Sequence, residues 1–233
     1  MPDPPRPGTL VGMTDLAQLW PPDGIVLQTP RLRLAVIGES DFPEAVDAIL
    51  AGIHDPAVMP FGTPWTDAPP DELVPNSLRH WWSTRGAVAP DGWTLPFAIR
   101  RDGRFIGIQD LRATNFAVTR TVSSGSWLTR SAQGDGVGVE MRAAILLLAF
   151  DHLGAEFACT GAFVDNPASN GVTRKLGYTE NGLEVLQRRP GERAAHQNYR
   201  LAAVQLNRPD WTLQVDGLEP CRPMLGAAIP SPR

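Results

Sequence analysis

Gln133-Gly134-Asp135-Gly136-Val137-Gly138-Val139-Glu140 joins a strand-like run at residues 124–129 to a long apolar helix predicted over about 139–153. Three glycines at such a junction let the backbone turn tightly and come close to a bound molecule. The first N–H groups of a helix lack intrahelical partners and sit at the positive end of its dipole, which favours an anion such as a pyrophosphate. Residues 133–138 are therefore the first candidate for holding a phosphorylated cofactor. Two other readings compete: a plain strand-to-helix turn, and a nicotinamide-type dinucleotide site. The latter wants G-x-G-x-x-G early in the chain with an acid at the end of the next strand. Here the spacing is G-x-G-x-G past mid-chain, and Glu156 precedes the next strand.

To either side, hydrophobic periodicity sets the elements. Residues 31–36 alternate charged and apolar and read as a strand. Ser40 or Asp41 caps a helix running to about Ile53, with Pro43 near its first turn. Pro56, Pro60, Pro64, Pro69 and Pro70 make the next segment a loop. Residues 71–87 return to helical spacing, and the adjacent Trp81 and Trp82 cannot both face a core. Strands at 94–100 and 104–111 form a hairpin through Asp102-Gly103. Another strand at 121–129 carries Trp127, expected in the core. After the glycine loop and its helix come a strand at 156–164, a short helix at 169–176 stopped by Gly177, and an antiparallel pair at 183–189 and 198–206. The order predicts one α/β domain over residues 25–208, with a Pro-rich leader at 1–24, including a short helix at 13–20, and a C-terminal extension at 209–233.

Composition narrows the function. The 233 residues carry a formal net charge of -4, with no block of like charge, which argues against nucleic acid as a partner. The longest apolar run, 143–150, is far below the roughly 20 residues of a membrane span. Two cysteines, Cys159 and Cys221, and four scattered histidines predict neither a disulfide framework nor a metal site. The N-terminus lacks a signal-peptide layout. The expectation is a cytoplasmic protein without metal, membrane or nucleic-acid partner; a homo-oligomer stays open.

Three segments carry a family resemblance. Gln133-x-x-Gly136-x-Gly138 resembles the (Arg/Gln)-x-x-G-x-(G/A) signature of the GNAT acyl-CoA-dependent N-acyltransferases. Asn166-Pro167-Ala168-Ser169 followed by Lys175-Leu176-Gly177-Tyr178 is similar to the family's second motif. Thr29-Pro30-Arg31-Leu32-Arg33-Leu34 resembles the opening of the RimJ/RimL-like branch. His54-Asp55-Pro56, Met59-Pro60-Phe61, Pro64-Trp65-Thr66, residues 124–128 and 216–223 further resemble an actinobacterial group associated with succinyl-CoA.

The resemblance implies a mixed sheet of about six to seven strands, flanked by helices, in which two central strands splay apart to admit the pantetheine arm of acetyl-CoA or succinyl-CoA. It assigns cosubstrate contacts to the backbone near Trp127 and Leu128, to the amides of Gly134, Asp135, Gly136, Val137 and Gly138, to the Gln133 side chain, and to Asn166. Arg174 or Lys175 would meet a nucleotide phosphate, unless both belong to a solvated helix face. The implied reaction is attack of an amine on the thioester, which needs a base, an oxyanion donor and an acid for the thiolate. The family's tyrosine acid falls at Thr173, so Ser169 is the substitute, against the alternative that it caps its helix. The usual basic carboxylate falls at Ser123. Asp110 is the first replacement, against a plain solvent-facing charge, and His54, Asp55 and Asp67 would line the acceptor side. Glu140 reads as a first-turn acid. A succinyl donor would need a cation, for which Arg79, Arg85, Arg112 and Arg120 are candidates. The acceptor would be a primary amine, on a protein N-terminus or a small molecule; a CoA-binding sensor or assembly subunit without turnover is the alternative.

Overall fold

Period-two apolar runs and 3.6-period runs alternate along residues 16–227, which the computed structural model describes. In chain order they become α1 (Leu16–Leu19), β1 (Val26–Gln28), β2 (Arg33–Val36), α2 (Phe42–Leu50), α3 (Pro70–Gly86), β3 (Gly92–Arg101) and β4 (Arg104–Thr114). Next come α4 (Phe116–Thr119), β5 (Thr121–Leu128), α5 (Val137–Leu147), β6 (Phe157–Phe163), α6 (Pro167–Lys175), β7 (Thr179–Arg189), β8 (Glu192–Ala202) and β9 (Gln214–Asp216). A wider helical turn, Leu148–Leu153, continues α5. The strands form one sheet in the order β7-β8-β6-β5-β4-β3-β2-β1-β9.

Only the β5–β6 pair is parallel, as the helical crossover through α5 requires, and it is short. It holds at Thr121–Phe157, Val122–Ala158 and Ser123–Cys159, after which the strands part. Beyond that point β5 stays with β4 as far as Leu128 opposite Gly107, and β6 stays with β8 as far as Phe163 opposite His196. Each strand is held on its outer side, so the sheet opens into a gap with two free inner edges.

The two faces carry separate cores. α5 is buried on nearly every side and mostly apolar apart from Glu140 and Arg142, and packs Met141, Ile145 and Leu148 with Phe97, Leu111, Val122 and Leu201. On the other face α2 and α3 bury Phe42, Ile49, Leu73 and Trp81 against Ala98, Phe105 and Ile108. Trp81 is buried while Trp82 stands half exposed and donates to Glu39 Oε1 at 3.2 Å.

The sheet has nine strands rather than six to seven. β1 and β9 are three residues each, too short for periodicity to reveal, and they pair with one another at the sheet's edge. The C-terminal extension packs back onto the domain. Its segment Glu219–Leu225 buries Cys221, Arg222 and Leu225, and Trp93 Nε1 donates to the Leu225 carbonyl at 3.0 Å. Of the leader, residues 1–15 lie outside the described residues; Pro22 is buried and Asp23 is bonded to Arg85.

Candidate active site

The glycine loop meets α5 beside the gap. Gly134 and Gly136 adopt φ of 82° and 74°, a region strained for any residue with a Cβ. Among the described residues, no protein acceptor takes the N–H of Gly134, Asp135, Gly136, Val137 or Gly138. Side chains brace the loop without using those donors. Gln133 Nε2 donates to the carbonyls of Ile53 at 2.9 Å and Leu128 at 3.0 Å. Arg31 Nε donates to Glu140 Oε2 at 2.6 Å, Thr29 Oγ1 donates to Glu140 Oε1 at 2.6 Å, and Arg31 Nη1 donates to the Asp135 carbonyl at 3.0 Å. The Asp135 carboxylate is taken by Arg101 at 2.7 Å.

Two expectations change accordingly. Both donors of Gln133 Nε2 are spent on holding the loop rather than turned toward a ligand. Glu140 is buried as the counter-ion of Arg31, beyond any role as a first-turn acid. The Thr29-Pro30-Arg31 segment thus ties the start of β2 to the first turn of α5. Rigid support with free donors is the combination a diphosphate cradle needs.

On the free edge of β5, backbone direction alternates. Thr129 N–H bonds back to Ile106 of β4, so the main-chain groups of Trp127, two residues earlier, point the same way. The carbonyls of Ser124 and Leu128 face the gap, where they accept from Thr160 Oγ1 at 3.3 Å and from Gln133 Nε2. Ser126, between them, shares that direction. Trp127 is therefore corrected: its side chain packs against Phe105 and Trp65, and the gap-facing backbone belongs to Ser126 and Leu128. Counting in twos from the splay point would have found Ser126.

The α2–α3 face of the gap carries the charges. Asp110 and Arg112 stand over Gly125: a Cβ placed there would lie 3.9 Å from Asp110 Oδ2 and 3.8 Å from Arg112 Nη2. Asp110 is half-buried, and burial lifts its carboxyl to about 6 while Arg112 pulls it down. Arg112 Nε donates to Ser123 Oγ at 3.1 Å. A cleft of about 730 Å³ opens on this face, lined by Ser83 and Ala87 of α3, Thr94, Arg112, Ser123 and Cys159. On the opposite lip, His196 lies over Gly161, where any Cβ would stand 2.3 Å from its Cε1. His196 Nδ1 sits 3.3 Å from Glu184 Oε1, which accepts from Asn198 Nδ2 at 3.0 Å. Sequence reading missed this trio because β7 and β8 meet only through strand pairing.

On the α5–α6 face lies a polar group. Arg142 of α5 is 4% exposed and donates through Nη1 to Thr173 Oγ1 at 3.0 Å and through Nη2 to Ser126 Oγ at 3.3 Å. Thr173 in turn donates to the Ser169 carbonyl at 2.9 Å. Asn166 caps α6, its Oδ1 accepting from the Ser169 N–H at 3.1 Å. Ser169 is therefore not the cap, and its hydroxyl is left uncommitted, one turn from Thr173. Asn166 stands where β6 ends.

Other expectations find structural employment. His54 bonds Thr66 Oγ1 and the Asp55 carbonyl, Asp55 accepts from the Ala57 N–H, and Asp67 is held by Arg189 of β7, whose hydrogen bonds lower its pKa. Arg174 and Lys175 are exposed in the last turn of α6, where cations suit the helix dipole. Arg79 bonds Asn76, Arg85 bonds Asp23, and Arg120 lies over the Phe116 ring; of the four arginines considered for an acyl carboxylate, Arg112 stands at the gap. No described helix is long and apolar enough to cross a membrane, and no described cluster of three His, Cys, Asp or Glu is placed to hold a metal.

Comparison with known proteins gives a consistent picture. Residues 31–179 match the acetyltransferase (GNAT) domain family. Among solved structures, RimJ of Mycobacterium smegmatis in complex with a CoA disulfide superposes with a TM-score of 0.67 at 21% identity, covering 80% of this chain and 90% of that one. RimL, a ribosomal L7/L12 alpha-N-protein acetyltransferase in complex with coenzyme A, gives 0.60 at 18% identity over 75% of this chain and 95% of its own. The microcin C7 self-immunity acetyltransferase MccE, in complex with acetyl-CoA and AMP, gives 0.59 at 16% identity over 75% and 93%. At these identities the likeness is one of fold.

Proposed function

We propose, from the premise that this chain belongs to the GNAT acetyltransferase family, that it moves an acyl group from CoA to a primary amine at the gap between β5 and β6. The observation that carries this reading is the row of uncommitted N–H groups at residues 134–138, opening directly beside that gap. These donors and the dipole of α5 fit a diphosphate, and the Ser126 and Leu128 edge fits the amides of a pantetheine arm. CoA supplies the activated acyl group; the protein's residues orient it and manage protons. Asn166 would border the arm at the end of β6.

Asp110 is the base of the reading. A carboxyl titrating near 6 is ionised at neutral pH yet basic enough to take a proton from an ammonium directly or through water. Ser123, bonded to Arg112, holds that arginine beside Asp110 and is a positioning residue rather than a base. Ser169 is the acid that returns a proton to sulfur. The amine acceptor would enter by the cleft that ends at Ser123 and Cys159. The alpha-N-protein acetyltransferase and the AMP complex among the similar structures suggest two acceptor classes to test, protein N-termini and amines that carry a nucleotide.

For the donor, acetyl-CoA follows from the family; succinyl-CoA has Arg112 as a cation at the gap in its favour. A thiol-release assay with each donor against ribosomal-protein N-terminal peptides and small amines tests the reading. Amine-dependent release with one donor supports it. Tight CoA binding with no release across the panel favours a CoA-binding sensor or assembly subunit instead.

A further inference from the structure

Arg142 is a buried cation without an acid. Its side chain is nearly sealed from water, Nε has no partner, and its other nitrogens reach only the hydroxyls of Thr173 and Ser126. The neighbouring acids are committed elsewhere: Glu140 to Arg31 and Thr29, Asp165 to Arg188, while Asp110 lies on the other face of the sheet. Around it Ser124 Oγ, Gln109 Oε1 and the Tyr178 hydroxyl are also buried without a full hydrogen bond. Leaving a guanidinium without a counter-ion in such a place costs several kcal/mol, a cost that an arriving negative charge would offset.

Arg142 spans the gap's mouth, from Ser126 on the free edge of β5 to Thr173, one turn from Ser169 on α6. Resting on the CoA reading above, we propose that Arg142 is a catalytic residue that stabilises the leaving CoA thiolate. In the step, the amine lone pair forms the C–N bond to the acyl carbon and the C–S bond breaks. The C–S electron pair stays on sulfur, and the proton from the ammonium goes to Asp110 or water. The guanidinium then balances the sulfur's charge until Ser169 delivers its proton. Burial makes this attraction strong, since little water screens it.

The titratable group facing Arg142 is Tyr178, pushed up to about 12 chiefly by burial. It offers no anion at neutral pH that would neutralise Arg142 in advance. Gln109 of β4, Ser124 and Ser126 of β5 and Thr173 of α6 complete the surroundings without charge.

The test compares binding of CoA and desulfo-CoA, which lacks the thiol, by calorimetry in buffers of different ionisation enthalpy between pH 6.5 and 9. A cysteine thiol titrates near 8.5 and CoA's alkyl thiol somewhat higher, and a close cation lowers such a group by about one to three units. Wild-type protein should therefore release a proton on binding CoA near pH 7.5 and none on binding desulfo-CoA. Arg142→Met should abolish that difference, lower kcat roughly 100-fold, and leave Tm unchanged or raised, because an unpaired charge has gone. Arg142→Lys should restore part of the proton release. Equal proton counts for the two ligands on wild-type protein overturn the assignment without any variant. A fall in Tm for Arg142→Met with proton release intact assigns Arg142 a structural role instead. Failure of either ligand to bind sinks the CoA reading itself, and this inference with it.

Discussion

Arg31 Nε donates to Glu140 Oε2 at 2.6 Å, joining the strand start at β2 to the first turn of α5 across more than a hundred residues of chain. The same guanidinium reaches the Asp135 carbonyl, so one arginine fixes both the helix entry and the loop whose amides stay free. The arrangement makes the glycine loop a supported element, with its donors aimed outward before any ligand arrives.

Arg31→Ala should loosen the loop and strand a buried carboxylate. Arg31 is 42% exposed, which discounts the ion pair itself, and the Thr29 bond to Glu140 survives. The expected loss is about 1–2 kcal/mol in CoA binding, close to tenfold in Kd. Isothermal calorimetry with CoA measures it, and an unchanged Kd would remove Arg31 from the support of the site.

Gly136→Ala forces a Cβ into a left-handed turn and places it 3.4 Å from Arg31 Nη2. Strain of about 1–2 kcal/mol should appear both as a lower Tm and as weaker CoA binding. Wild-type affinity in this variant would mean that the turn is not shaped for a ligand.

For Asp110 the sign of the pH effect follows from its raised pKa. The folded protein favours the neutral acid, so the group costs stability as pH rises from the ordinary carboxylate range through about 6. Asp110→Asn should therefore raise Tm at pH 7.5 but not at pH 3.5. As a base it must be ionised: wild-type kcat/KM should fall as pH drops below about 6. The variant should lose about 100-fold activity and that acid limb. A variant keeping the limb would show that another group titrates.

Ser169→Ala should lower kcat more than CoA affinity, because its hydroxyl holds no other bond while its main chain keeps the α6 cap with Asn166. Single-turnover rates beside Kd values separate the two effects. Equal kinetics would remove Ser169 from proton transfer.

Much of this was legible from local pattern. The Asp102-Gly103 hairpin, with both residues at positive φ, the buried crossover helix and the glycine turn each follow from nearest neighbours in sequence. What stayed hidden depends on long-range partners. Glu140 looks like a helix-dipole acid until Arg31 comes to it, and Gln133 looks like a ligand group until Ile53 and Leu128 occupy it. Arg142 reads as one polar residue in an apolar run; only burial without a counter-ion makes it conspicuous. β9 was invisible because three residues carry no period, and its pairing with β1 closes over more than half the chain.

The central claim is that the main-chain N–H groups of residues 134–138 hold the diphosphate of CoA. Titrating the isotopically labelled protein with CoA and following its backbone amide resonances reads those groups one by one. The account predicts large downfield shifts at Gly134, Gly136, Val137 and Gly138, saturating together, and smaller ones at Ser126 and Leu128. Saturable binding that leaves the resonances of 134–138 in place, or no binding at all, would contradict it.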